Sequence, residues 1–528
     1  MRVRGPLGRA DRGSGSVNGI HWGGFISMVL FYLAVFWVGF HFPRKRDSGS
    51  TEDLILAGRR MPLWVAIFTM TATWVCGGYI NGTAENIFKN GITWGAQAGL
   101  CYSISLILGG LFFAGVMRGH GFTTLLDPFE RRFGKAMAGI LFFPALAGEI
   151  FWSGAILMAL GSTFGTILNL DLAVSIILSS GIVIGYTVAG GLWAVAYTDV
   201  VQLALIFIGL LAAIPFAVGH VGGWAGLAER YHAMGGTFTS ILPPVRDIAH
   251  SRGWTVPQVW NWWDWSLLLM LGGIPWNVYF QRVLATPNAR VARNFSVCAG
   301  FLCAIAAVPP LVIGVIGSVF PWRTLGLGID YPAMVLPYVL RYLTPYWVGV
   351  LGLGAVAAAV MSSVDSSFLS ASSMFTWNWY RGILNPGSSE RSLRVVLRVS
   401  TVAVGVIATV IALEVRSVQA LWYLCSDFVY VILFPQLVAA LFWRSANRAG
   451  SIAGLAVSFI LRFGGGDPIL RIPQLIPYPW RDAASGPLFP FKTLAMICGL
   501  AAIYAVSKAT ARLCPPRPLD PGGPARAG

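Results

Sequence analysis

An all-α integral membrane protein of about thirteen transmembrane helices is the fold class predicted, and three observations predict it. The 528 residues are 56% hydrophobic and only 11% charged, whereas soluble domains carry about 25% charged residues. Apolar runs of the length that crosses a bilayer, roughly 18 to 25 residues, recur along nearly the whole chain. The gaps between them leave no room for a soluble domain.

In order, residues 1–23 are Gly-rich and basic (Arg2, Arg4, Arg9, Arg12) and are expected to be a disordered, extracellular extension. The spans follow near 24–42, 64–86, 95–115, 138–168, 172–190, 198–219, 263–283, 296–319, 346–376, 395–415, 418–442, 450–463 and 491–508. The first run is long and lacks a small-residue cleavage site, which argues against a signal peptide. The segment 220–262, rich in Gly, Trp and Pro, reads as an ordered outer loop, and 511–528 as a short cytoplasmic tail. A net charge of +16 suggests nucleic acid at first sight, but its placement says otherwise. Arg44-Lys45-Arg46, Arg59-Arg60, Arg118, Arg131-Arg132 with Lys135, Arg282, Arg290, Arg293, Arg381, Arg391, Arg394, Arg398, Arg444 and Arg448 fall in alternate loops. The positive-inside rule makes those loops cytoplasmic, and the N-terminus then lies outside.

Other chemistries find little support. Six of the seven cysteines (Cys76, Cys101, Cys298, Cys303, Cys425, Cys498) lie in apolar spans and read as small buried hydrophobes. The six histidines lack ligand spacing, so no metal beyond a coupling ion is expected, and no P-loop or dinucleotide fingerprint is present. An ATP-driven pump therefore finds no support, and a membrane enzyme is not expected because no metal-binding carboxylate cluster appears in or beside the spans. Asn81-Gly-Thr83 matches a glycosylation pattern but falls inside a span.

Two spans are interrupted at the same kind of place. Trp74-Val-Cys-Gly77-Gly78 and Gly272-Gly273-Ile-Pro275-Trp276 each set a double glycine beside a tryptophan where a helix should be most regular. Paired breaks of this kind mark transporter binding sites, because unwound backbone at mid-membrane frees carbonyls and amides to hold ions. Glycine-eased packing is the alternative reading. Polar residues inside spans carry the rest. Within the polar run from Ser362 to Ser373, Ser363, Ser366/Ser367, Ser370 and Ser373 form a hydroxyl stripe at helical spacing; with the Asp365 carboxylate it suits an alkali cation or, alternatively, close helix packing. Asp199 opens the span 198–219 as either an ion ligand or a helix N-terminal carboxylate. Trp74, Tyr102, Trp152, Trp276 and Trp422 lie in or at the edge of spans. Together they suggest an aromatic box for a quaternary ammonium, which donates no hydrogen bond and is held by ring quadrupoles. Glu149, one turn before Trp152, either adds negative potential or pairs with a neighbouring helix.

The strings Phe68-Thr-Met-Thr-Ala-Thr-Trp74, Gly78-Tyr-Ile-Asn-Gly-Thr-Ala-Glu85, Ala196-Tyr-Thr-Asp-Val-Val-Gln202, Leu269-Met-Leu-Gly-Gly-Ile-Pro-Trp276, Phe280-Gln-Arg-Val283, Ala359-Val-Met-Ser-Ser363 and Phe489-Pro-Phe-Lys-Thr-Leu-Ala-Met496 resemble the sodium/solute symporter family, and within it the choline-carrying members. The resemblance runs from about residue 25 to 508. It implies a leucine-transporter-like core of two inverted five-helix repeats, about 64–219 and 263–415, preceded by one extra helix. It implies choline held by Trp74, Tyr102, Trp152, Trp276 and Trp422, and sodium held by the carbonyls of Thr71 and Trp74 with the hydroxyls of Ser362 and Ser363. A second sodium site would use Asp199 and Ser366. Chloride dependence is implied without an assignable ligand. The implied setting is a multi-pass plasma membrane carrier at presynaptic terminals and synaptic vesicles, supplying choline for acetylcholine synthesis, with lipid around it and no nucleic acid partner. Oligomeric state is not implied.

Cys76 stands where the family usually has glycine, and Cys425 replaces a serine beside Asp427. Both changes lie near the expected pocket. The tail stops soon after Cys514-Pro-Pro, so the trafficking signals of longer tails are not expected. Proline, pantothenate and sugar symport remain open, as does a non-transporting sensor or channel.

Overall fold

The computed structural model describes residues 22–41, 51–187, 192–234, 240–244, 254–482 and 486–519. Most of the predicted N-terminal extension, the end of the predicted tail, Arg44-Lys45-Arg46 and the last residues of the 172–190 span lie outside the described residues. Helices form at every predicted span. We label them α1 (Trp22–His41), α2 (Leu63–Trp74), α3 (Gly77–Asn90), α4 (Ile92–Leu108), α5 (Lys135–Leu168), α6 (Leu172–Thr187), α7 (Leu192–Gly219), α8 (Val256–Gly272), α9 (Asn277–Ala285), α10 (Ala289–Ala306), α11 (Val308–Val319), α12 (Tyr346–Met374), α13 (Glu390–Val415), α14 (Val418–Phe428), α15 (Phe434–Phe442), α16 (Arg448–Gly464) and α17 (Phe491–Ala509). Among the described residues eight helices are long and apolar enough to cross a membrane, and the bent pair α2–α3 makes a ninth.

Lipid is the solvent that this fold expects. Phe301 and Ile305 on α10, and Val399, Val406 and Val410 on α13, leave large apolar side chains exposed in rows. The serine stripe of α12 is instead fully enclosed. α12 is the central element, packed against α1, α5, α7 and α13. A helix so enclosed can carry hydroxyls, because neighbouring helices satisfy them.

Both predicted breaks exist. α2 ends at Val75 (φ −78°, ψ 57°), and α3 restarts after Cys76 in extended backbone (φ −82°, ψ 174°), with a bend of 42°. The Cys76 sulfur accepts a hydrogen bond from the Tyr79 amide at 3.3 Å, so it caps the second half in a way that a glycine cannot. α8 stops at Gly272-Gly273, Pro275 supplies no amide, and α9 restarts after Trp276 (φ −103°, ψ 131°). Its glycines are also spacers. A Cβ on Gly272 would lie 2.7 Å from the Ser426 carbonyl oxygen, and one on Gly77 would lie 2.3 Å from Val360 Cγ2.

Three expectations need correction. Residues 256–262 are not loop but the first turns of α8, fixed by a capping box between Thr255 and Gln258. Cys298 is exposed rather than buried, because it lies on the outer face of α10; all seven cysteines are free. Arg282 is not a cytoplasmic-loop cation; it lies on α9 with no exposed side-chain surface.

Gly272→Ala should lower stability by about 1–3 kcal/mol through overpacking against fixed backbone. Gly115→Ala, where a Cβ meets nothing within 4 Å, should leave stability equal or slightly higher. Thermal melting of the two purified variants beside the parent checks this; equal melting temperatures for the Gly272 variant and the parent would contradict the spacer role.

Candidate substrate and ion sites

Five separate segments bring Trp74, Tyr102, Trp152, Trp276 and Trp422 around one narrow cavity of about 10 Å3, so the rings nearly close on one another and must part to admit a solute. Trp74 ends α2 and Trp276 precedes α9, so both helix breaks deliver an indole to the site. Tyr102, Trp152 and Trp422 come from the bodies of α4, α5 and α14. Ring centroids stand 5.8 Å apart for Trp74–Tyr102, 6.4 Å for Trp74–Trp152, 5.5 Å for Trp152–Trp276 and 5.1 Å for Tyr102–Trp422. The first and third pairs meet edge to face, which points the negative faces of successive rings in different directions around the space. Side-chain hydrogen-bonding capacity is sparse. The Tyr102 hydroxyl is engaged with Ser426 at 2.5 Å, and the indole N–H groups of Trp74 and Trp276 are buried without partners. Such a lining suits a cation wrapped in methyl groups and suits a polyol poorly.

The sequence reading missed three further rings that brace the box. Tyr79 packs on Trp422, Tyr279 on Trp74 and Tyr423 beside Trp422. Their hydroxyls go elsewhere, to the Cys303 carbonyl, to Ser296 and to Gln97. Their place in the sequence would have pointed to Tyr79 and Tyr279, which each follow a break by a few residues. On the side of α3's C-terminus a wide cavity lies next to the box, lined by Asn90, Trp94, Asn261, Trp265, Tyr423 and Asp427 among others. Tyr423 lies between this vestibule and Trp422.

Of the ligands expected for the first ion site only Ser362 reaches Asp199, whereas Ser363 and the Thr71 carbonyl bond within their own segments. Asp199, fully buried on α7, accepts hydrogen bonds from the hydroxyls of Thr69 and Ser362. Ser363 donates to the Ala359 carbonyl at 3.3 Å, and the Thr71 carbonyl accepts from the Val75 amide at 2.7 Å at the end of α2. Asp199 and Ser366 are brought together, but with a guanidinium between them. Arg282 Nη2 donates to Ser366 Oγ at 2.6 Å and to Thr73 Oγ1 at 3.0 Å, and stands 3.7 Å from Asp199 Oδ2. Two unit charges about 4 Å apart interact by about 4 kcal/mol at an effective dielectric of 20. A sodium ion brought to the same carboxylate would face a repulsion of that order from the guanidinium.

The rest of the serine stripe is structural. Ser367 bonds Ser153 at 3.0 Å, Ser370 donates to Glu149 at 2.6 Å, and Asn277 donates to Ser370 at 3.1 Å. Glu149 thus pairs with a neighbouring helix. Asp365 faces α6 and accepts from Thr187 at 2.5 Å. No group of three or more metal-ligating side chains occurs among the described residues. A second buried charge cluster went unread: Arg462 donates to Asp427 at 2.5 Å and to Asp467 at 2.7 Å beside the vestibule.

The sequence profile of the sodium:solute symporter family matches residues 54–458. The chain belongs to the sodium:solute symporter family. It is 46% identical over 496 residues to the Drosophila melanogaster protein named High-affinity choline transporter 1, covering 92% of this chain and 78% of that one. It is 44% identical over 498 residues to the Homo sapiens protein of that name, covering 90% and 83%. A Vibrio parahaemolyticus sodium/glucose cotransporter is 28% identical over 473 residues, covering 82% and 84%. The fold is shared with a Na+-coupled sialic acid symporter solved in a substrate-bound outward-open state, with a TM-score of 0.76 at 18% identity, covering 94% of this chain and 98% of that one. These relatives are named as carriers and not as enzymes. The protein is accordingly a multi-pass membrane transporter, with sodium as the coupling ion of its family.

Arg462→Met should cost about 3–5 kcal/mol, because it strands Asp427 and Asp467 as buried, uncompensated charges. The thermal melting temperature of the purified variant should fall well below the parent's; an unchanged value would show that the cluster is hydrated and weakly coupled.

Proposed function

We propose that this chain carries choline inward across the plasma membrane, driven by sodium and by alternating access. The observation that carries the reading is the five-ring box with few free hydrogen-bonding groups, since a quaternary ammonium needs ring faces and no acceptors. The high identity to relatives named as choline transporters supports it. Sugar symport is disfavoured by the same lining, because a sugar needs several side-chain hydrogen-bonding partners.

The architecture we infer has thirteen crossings with the N-terminus outside, and α1 as an extra helix before two inverted repeats. The first repeat occupies about 64–219 and opens with the α2–α3 break. Between 263 and 415 there are four apolar helical spans, so a second set of five extends through Val418–Phe442. Sodium would sit where α2 unwinds against α12, on the carbonyls of Thr71 and Trp74 and the hydroxyls of Ser362 and Ser363. Binding there orders the break and turns Trp74 into the box, choline enters from the vestibule, and the repeats rock to expose the site inward. A tenfold sodium gradient contributes about 1.4 kcal/mol. A potential near 60 mV adds about 1.4 kcal/mol per charge, so one ion sustains on the order of a hundredfold accumulation. Chloride dependence is part of the proposal. So are residence at presynaptic terminals and synaptic vesicles and supply of acetylcholine synthesis.

Uptake of labelled choline into vesicles, with and without an inward sodium gradient and with chloride replaced by gluconate, tests the reading; uptake indifferent to sodium would end it. Trp152→Ala and Trp276→Ala should each raise the choline concentration for half-maximal uptake at least tenfold at normal surface expression, since a desolvated cation–π contact is worth about 2 kcal/mol. Phe at either position should be milder. Ser362→Ala and Ser363→Ala should shift the sodium requirement more than the choline requirement measured at saturating sodium; a shift in choline alone would move these serines to the substrate path.

A further inference from the structure

Arg282 is the one side chain in the ion network that carries a fixed positive charge, among the described residues. It has no exposed surface, and its Nη2 reaches three oxygen-bearing groups from three different helices: Thr73 on α2, Ser366 on α12 and Asp199 on α7. A carboxylate and two hydroxyls converging from separate elements form the oxygen environment that a desolvated alkali cation would take. Two of the three, Asp199 and Ser366, are the pair that the family resemblance implies for a second sodium ion. We propose that the Arg282 guanidinium is a tethered cation standing in the place of that second ion, so that the carrier couples one sodium ion to each molecule of solute. The inference rests on the symport reading above.

The physical case has three parts. Asp199 is buried and needs a counter-charge, and Arg282 provides it without an ion. A sodium ion at the same carboxylate would meet the guanidinium at close range, and the resulting repulsion weakens its binding by about a thousandfold. Arginine is also the right residue for a permanent occupant, because its planar fork spans several acceptors at once and keeps its charge when buried. The contacts fasten the end of α2, next to the break, to α12 and α7. With Arg282 bracing the end of α2 permanently, only the unwound residues beyond it are left for the single sodium ion to order. Sodium activation should then follow a simple hyperbola.

The test uses the full chain purified and reconstituted in proteoliposomes, with radiolabelled sodium and labelled choline uptake measured in parallel. One choline-dependent sodium ion per choline is expected, with a Hill coefficient for sodium of about one; two per choline overturns the inference and leaves the symport reading intact. Choline uptake with no coupled sodium overturns both. Arg282→Gln, which bares Asp199, should raise the ratio to two and steepen the sodium dependence; a ratio that stays at one in a transporting variant overturns the claim that the guanidinium fills an ion's place. If that variant does not reach the membrane, Asp199→Asn/Arg282→Gln together should give more uptake than Asp199→Asn alone, because the single change strands the guanidinium. Less uptake from the double variant would mean that Asp199 and Arg282 are not a charge pair.

Discussion

Backbone polarity in an apolar solvent is the constraint on which the rest of this structure depends. Lipid offers no hydrogen bonds, so a helix can break at mid-membrane only where protein surrounds it. The breaks at Val75–Cys76 and Gly273–Trp276 are enclosed for that reason, against α12 and α5 in the first case and α14 in the second. Close approach at Gly77 and Gly272 is what lets neighbours cover the opened backbone. The Cys76 sulfur then satisfies an amide that the break would otherwise orphan.

Once the breaks are enclosed, they become the natural place for chemistry. Each break carries an indole, Trp74 at the end of the helix before the first and Trp276 at the start of the helix after the second. The other three rings come from unbroken helices, which hold them rigidly. A cation without N–H groups gains from ring faces and loses little when denied acceptors, so this lining discriminates by what it lacks. Glu149, one helical turn before Trp152, is tied through Oε1 to Ser370.

Charge inside the protein follows the same economy of pairing. Asp199 with Arg282, and Asp427 and Asp467 with Arg462, keep ionised groups in contact with their opposites and with hydroxyls. Breaking such a pair costs far more than the pair itself is worth, because one charge is left without water or partner. The ion network therefore couples α2, α7, α9 and α12 mechanically, and any ion that binds near Ser362 acts on a junction already braced by Arg282.

Composition, span length and the two Gly-Gly-Trp interruptions were enough to read the helices, the breaks and the five aromatic residues, because each is a local property of the chain. The resemblance in the motif strings carried the family. Three things were not local. Arg282 looks from sequence like one more positive-inside residue at a span end, and only the packing of α9 under α2, α7 and α12 removes it from water and sets it against Asp199. The serine stripe has the spacing for ion ligands and for helix contacts alike, and the neighbours decide between them: Ser153, Glu149 and Asn277 claim Ser367 and Ser370. Arg462 likewise sits at the end of a weak span, and its two carboxylates come from distant and looped segments. The sequence by itself determined which residues enter the membrane and where the helices give way, since hydropathy and backbone propensity act along the chain. Tertiary structure decided which buried charges face one another, since a Coulomb interaction depends on distance in space and not on position in the sequence.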